Sequence, residues 1–336
     1  MKSRIDILSI GDTATDAFIQ LEPSVRVDDA DTDDPRLSLP YGAKIPFLQA
    51  IIVPAVANAA NAAVSFAKLG LRSALFANIG DDHNGQEILQ ALHASKVQTQ
   101  FVRINRGKKT NYHYLLWYKT DRTQLMNFEH YDWHLPELHS IDRPAWIYLS
   151  RLGGDTLPLH HQIAKYVKAY PETKLVFQPD RFQIDFGTHK LADIYARTYL
   201  VFCNREEAVK ITGSPTDHIP ELMLRFHKLG SQNVVITDGP DGSYCSDGNR
   251  IWSMRTYPDP KPPLERTGAG DAFASTVTAA LVLGKPLEEA MRWAPINSMS
   301  VVQAVGAQAG LLNVSQINRL LEHAPADYMP KIIEGK

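Results

Sequence analysis

The sequence predicts an α/β fold, a mostly parallel central sheet wrapped by helices, with a small β-sheet lid at one edge. Three observations predict it. Apolar segments alternate between a strand period of two and a helical period near 3.6, the pattern of parallel strands joined by helices. At two places, residues 17–53 and 98–128, strand-like runs follow one another with no helix between them, which suits a separate small sheet better than the middle of a parallel one. The chain has 336 residues, 44% hydrophobic and 21% charged, enough to bury one large core. We therefore expect residues 1–336 to form a single domain with lid segments at about 17–53 and 98–128.

The elements follow in order. Residues 5–10 read as the first strand, 58–69 as a helix ended by Gly70, 73–79 as a strand and 85–94 as a helix. Strands recur at 145–149, 175–177, 200–203 and 234–237, with helices between them. From 272 onward the chain turns helical, over 272–283, 287–305 and 314–322. In the second lid segment, "TNYHYLLWYKTDRTQLMNF" holds two strand-like runs flanking the turn signal Thr120-Asp121-Arg122. Its polar and aromatic residues alternate, so one face can lie over a substrate and the other can meet a second lid. The acidic "DDADTDDP" at 28–35 reads as a solvated connection, since consecutive aspartates repel and show no ligand spacing. "YPDPKPPLE" is a stiff approach to the segment that follows it.

Composition excludes several classes of function. A net charge of -2 offers no electrostatic footprint for nucleic acid. No apolar run reaches membrane-spanning length, and the N-terminus enters a strand pattern without a signal region, so a cytoplasmic protein with no membrane partner is expected. Cys203 and Cys245 lie in apolar strand-like segments and read as buried thiols rather than a disulfide or a metal site.

Chemistry concentrates in "PPLERTGAGDAFASTVTAALVLG", residues 262–284, where two glycines and a carboxylate precede an apolar helix. One reading is a tight turn capped by Asp271. The other begins with the unpaired N–H groups of a first helical turn, a seat for phosphate when no side chain blocks it. A carboxylate beside an anion seat is repulsive unless it takes the proton of a hydroxyl attacking that phosphate.

"ERTGAGD" resembles the D-T-x-G-A-G-D signature of the ribokinase, or PfkB, family of carbohydrate kinases, and the resemblance runs from Ile5 to about Leu312. It implies a ribokinase-like three-layer α/β/α sandwich with a lid, and ATP-dependent transfer of a phosphoryl group to a hydroxyl of a sugar or nucleoside. By this resemblance Gly268, Ala269 and Gly270 form the anion hole and Asp271 is the base. "GDTATD" matches the family's substrate Asp at Asp16. "NREE" matches N-x-x-E, with Asn204 near the ATP phosphates and Glu207 holding Mg²⁺ through water, and the i, i+3 spacing predicts both on one helical face. "TDGPDG" matches T-x-G-x-x-G, with Thr237 and Gly239 against the ATP phosphates and Gly242 permitting the next turn. "GDDHNG" at 80–85 is read as a structural strand-to-helix turn. The helix ending in Gly306-Ala307 offers Asn297 to the adenine. Each of these motifs also has a plain structural reading as a turn, a cap or a buried amide.

Two departures qualify the resemblance. Where the family has G-G-N-x-x-N, this chain reads "VANAAN": Val56 and Ala57 replace the glycines, while Asn58 and Asn61 remain as substrate contacts. The added Cβ atoms restrict φ at the lid hinge and fill space beside the substrate. At Glu265 and Arg266, where the resemblance implies a monovalent-cation site, Arg266 is expected to stand in for the cation, making potassium activation weak or absent. The family's lids also imply a homodimer clasped through the lid. Rival readings are a nucleoside kinase whose Tyr112, Tyr114 or Trp117 stacks on a base, and a nucleotide or sugar sensor without turnover. A dehydrogenase is disfavoured because no G-x-G-x-x-G follows the first strand.

Overall fold

The computed structural model describes residues 5–22, 26–28, 36–119, 121–139 and 142–335. Thr120 of the expected turn and residues 29–35 of the acidic stretch lie outside them. The large sheet runs, from edge to edge, Lys331–Gly335, Arg250–Met254, Ser243–Ser246, Asn233–Thr237, Thr198–Asn204, Lys174–Phe177, Trp146–Leu149, Ile7–Ile10, Ser73–Gly80 and Gln98–Asn105. The seven strands from Asn233–Thr237 to Gln98–Asn105 are mutually parallel, and the three at the other edge pair antiparallel. Central strands such as ILSI and WIYL are buried throughout, as continuous apolar runs covered on both faces must be.

Helices cover both faces. Leu157–Ala169, Arg205–Thr212 and Ile219–Leu229 pack their apolar stripes on one side, around Leu159, Ile163, Leu222 and Phe226. Asn58–Lys68, Ala269–Val282, Leu287–Val301 and Val314–Glu322 pack on the other, around Phe66, Val277, Met291 and Ile317. The result is a three-layer α/β/α sandwich. The "GDDHNG" turn is held by Asp82, which caps His83–Ala94 through the Gly85 amide and also accepts from the Thr110 amide. Among the described residues no helix is long and apolar enough to cross a membrane.

The lid is a separate four-stranded sheet in the order Phe47–Val56, Ala14–Leu21, Tyr112–Tyr118, Asp121–Met126. Its make-up corrects the expected segments in two ways. The first lid strand begins at Ala14, not 17, and residues 98–105 do not join the lid. They pair parallel with Ser73–Gly80 at the edge of the large sheet, where Phe101 enters the core. An edge strand of the large sheet and a lid strand each bury one face only, so alternation cannot tell them apart. The C-terminal third is likewise not all helical, since Lys331–Gly335 returns to pair with Arg250–Met254.

Candidate active site

The helix Ala269–Val282 starts from Gly268, whose φ of 81° lets the chain turn sharply into the first helical turn. Asp271 makes no capping bond there, so the cap reading gives way. Its carboxylate instead faces a cavity and accepts from Asn58 Nδ2 at 3.0 Å on Oδ1 and from Asn61 Nδ2 at 2.8 Å on Oδ2, with Gln178 Nε2 3.5 Å away. Burial pushes its pKa up to about 6; the Asn61 bond opposes this, and the nearby Asp180 adds to it. The group is thus ionised at neutral pH yet basic enough to take a proton from an alcohol. Asn58 and Asn61, expected on the substrate, are here donors to Asp271.

Two joined cavities meet at this helix start. The first, about 340 Å³, takes its lid wall from Asp16, His113, Arg122, Gln124 and Met126. Strand alternation puts these residues on one face: Asp16, His113 and Met126 stand opposite one another across three strands, and Arg122, Gln124 and Met126 are spaced by two. His113 Nδ1 donates to Asp16 Oδ1 at 3.0 Å, which orients that carboxylate. The second cavity, about 350 Å³, has an apolar floor including Pro240, Tyr257, Pro295, Met299 and Val302. Thr237, Arg266, Gly270 and Phe273 line both.

Thr237 therefore sits at the junction, and Gly239 and Gly242 line the second cavity. Gly268 lines the first, while Ala269 lines the second and gives its amide to Arg266 O at 3.4 Å. Asn204 and Glu207 both line the first cavity, but not as one helical face. Asn204 precedes the helix as its cap, accepting from the Glu207 amide, and Glu207 Oε2 accepts from the Asn204 amide. Burial raises the Glu207 pKa. Asn297 is a correction. It is fully buried, donating to Thr276 Oγ1 of the helix Ala269–Val282 and accepting from the Leu312 amide just before the helix Val314–Glu322, so both ends of its side chain are engaged within the fold and neither faces a cavity. Its neighbours Pro295 and Ser298 line the second cavity instead.

The aromatic candidates for base stacking also fall elsewhere. Tyr112 and Tyr114 alternate with His113 and so take the outer face of the lid, while Trp117 is buried and donates to Lys119 O. None lines either cavity. Among the residues that reasoning from the sequence missed are Arg122, Gln124, Met126, Arg151, Gln178 and Asp180, all on the first cavity. The period of two in "RTQLM" held a signal for the first three. Nothing local marked the others.

The departures from the family pattern acquire a geometry. Glu265 is buried, and its Oε1 accepts from the amide and the hydroxyl of Thr267, with Arg122 Nε of the lid 3.5 Å away. The positive charge beside Glu265 is therefore Arg122 and not Arg266, which is exposed at the junction of the cavities. At the hinge, Ala55 and Ala57 keep positive φ values of 59° and 82°. Ala57 also has a ψ of 162°, a combination almost reserved for glycine. Ala57→Gly should relieve about 1–3 kcal/mol of strain against about 0.5–1 kcal/mol of added chain entropy, a net gain that thermal melting reads as a higher Tm. A lower Tm would refute the strain.

A mostly parallel sandwich, a β lid and a helix start that opens on two cavities define a lidded α/β fold with a candidate active site at that helix start. The profile described as pfkB family carbohydrate kinase matches residues 58–313. The chain belongs to the pfkB family of carbohydrate kinases. It is 30% identical over 256 residues to a cytidine kinase of Thermococcus kodakarensis, covering 70% of this chain and 82% of that one. To the ribokinase of Bacillus subtilis it is 25% identical over 269 residues, covering 78% and 86%. The solved structure of Arabidopsis thaliana ribokinase complexed with ribose and ATP superposes with a TM-score of 0.78 at 22% identity, over 95% of this chain and 99% of that one, a likeness of fold.

Proposed function

We propose that this kinase transfers the γ-phosphoryl group of ATP to a hydroxyl of a sugar, with Asp271 as general base and the turn of residues 268–270 as anion hole. The observation that carries the reading is the Asp271 carboxylate, held by two asparagine amides, beside the glycine where the two cavities meet. The first cavity suits the acceptor, whose hydroxyls meet Asp16 and lose a proton to Asp271. The second suits the nucleotide, whose phosphates run past Gly239 and Thr237 toward Gly270. Donors of the first helical turn and the Arg266 guanidinium then meet the charge on the equatorial oxygens of the moving group.

Among the described residues no group of three His, Cys, Asp or Glu side chains could hold a metal by itself. The donor set suits Mg²⁺, which takes few protein oxygens, with Glu207 on its water shell. When bound, the ion would neutralise phosphate charge.

A nucleoside acceptor is the second reading, favoured by the cytidine kinase relative, though without the stacking residues first considered. ATP consumption measured across a panel of sugars and nucleosides separates the two, and binding of both ligands without turnover would make the protein a sensor. With Arg122 at Glu265, potassium at constant ionic strength should change kcat by less than about twofold; a several-fold rise would refute this. Exposed Ile52, Tyr114 and Leu125 form one row across the outer lid face and support a homodimer through the lid, which a monomer in sedimentation velocity would exclude. Two free buried thiols suit the cytoplasm, where ATP is available.

A further inference from the structure

The hydrogen bonds behind Asp271 form a relay whose polarity starts at a backbone carbonyl. Ala55 O, at the lid hinge, can only accept, so the side-chain atom of Gln308 that lies 2.6 Å from it must be Nε2. The same nitrogen lies 2.9 Å from the side chain of Asn61, which must present Oδ1 to it. Asn61 Nδ2 is then left to face Asp271 Oδ2, at 2.8 Å. Each amide is oriented by the one before it. Asn61 is 5% exposed, and both ends of its amide meet protein groups. Turned over, it would set an oxygen against the carboxylate.

We propose that Gln308 is a positioning residue that fixes which end of the Asn61 amide faces Asp271 and ties that choice to the lid hinge at Ala55. The proposal rests on Asp271 being the base. Asp271 is otherwise faced by Asn58 from the same helix as Asn61, by Gln178 and Asp180 after the strand Lys174–Phe177, by Arg151 after Trp146–Leu149, and by the Tyr148 hydroxyl. None of these depends on Gln308. Only the Asn61 donor does, and that donor opposes the effect of burial on the carboxylate. Loss of Gln308 should therefore let the carboxylate hold its proton to higher pH.

The test needs no acceptor. The Asp271 carboxyl is titrated by ¹³C NMR in the full chain with labelled aspartate, its signal assigned by its loss in Asp271→Asn. In Gln308→Met the midpoint should rise by about half a pH unit or more, as it should in Asn61→Ala, with no further rise when the two are combined. Gln308→Ala carries the same measurement should the Met variant not fold. An unmoved midpoint, or additive shifts, would overturn the proposal while leaving the base intact. Retained turnover in Asp271→Asn would instead remove the base reading on which it rests.

Discussion

Asp271→Asn is expected to lower kcat by about 10²–10⁴-fold while leaving ATP binding within a few-fold. The amide keeps the size of the side chain but cannot take the alcohol's proton. Isothermal titration with ATP and steady-state turnover check the two halves, and an active variant would exclude the base. The wild-type rate should follow the same group. With a pKa of about 6, Asp271 is ionised above that pH, so kcat falls about tenfold per unit below it. Stability has the opposite sign. A carboxyl whose folded pKa lies above its usual 3.8 binds its proton more tightly when folded, so the fold loses stability as pH rises from about 4 to 6. The ionised base thus destabilises the protein at neutral pH by about 1–3 kcal/mol. Asp271→Asn should melt no lower than wild type at pH 7, which separates loss of chemistry from loss of folding.

Gly268→Ala should damage both. A Cβ at this position would lie 2.2 Å from Ala307 Cβ and 2.5 Å from Ala307 Cα, and φ is 81°, so neither the space nor the backbone admits it. Relief requires the first turn of the helix to move against the segment after Leu287–Val301. We expect a loss of about 2–4 kcal/mol of stability and at least about 10²-fold in rate, since amides displaced by an ångström no longer meet the phosphoryl oxygens. Gly270→Ala is the contrast. No atom lies within 4 Å of its Cβ, so this variant should melt like wild type and lose activity only through the methyl it puts where the cavities join. Equal Tm losses in both variants would refute the distinction.

Much of this site was legible in the sequence because its strongest signals are local. Residues 265–271 make their turn from their own glycines, and the NREE cap closes within four residues. The resemblance to the ribokinase family added roles to those turns. Asn58 and Asn61 stood out in the sequence and do line the first cavity, but their partner was not legible, since Asp271 lies 213 and 210 residues away along the chain. Asn297 was misread because a buried helix amide and a cavity amide look alike until the neighbouring helices are in place. The choice of Arg122 over Arg266 beside Glu265 depended on the lid folding down across the helix start.

By itself, the sequence determined the alternation of strands and helices through the parallel sheet, the glycine turn into the helix at Ala269, and the period-two alternation of the lid strands, because periodicity, caps and glycine geometry act within a few residues. The tertiary structure alone decided which strand belongs to which sheet, which amides hold Asp271, and which arginine stands at Glu265. Those outcomes rest on contacts between segments from about 24 to more than 200 residues apart, and only packing selects among partners that are locally equivalent.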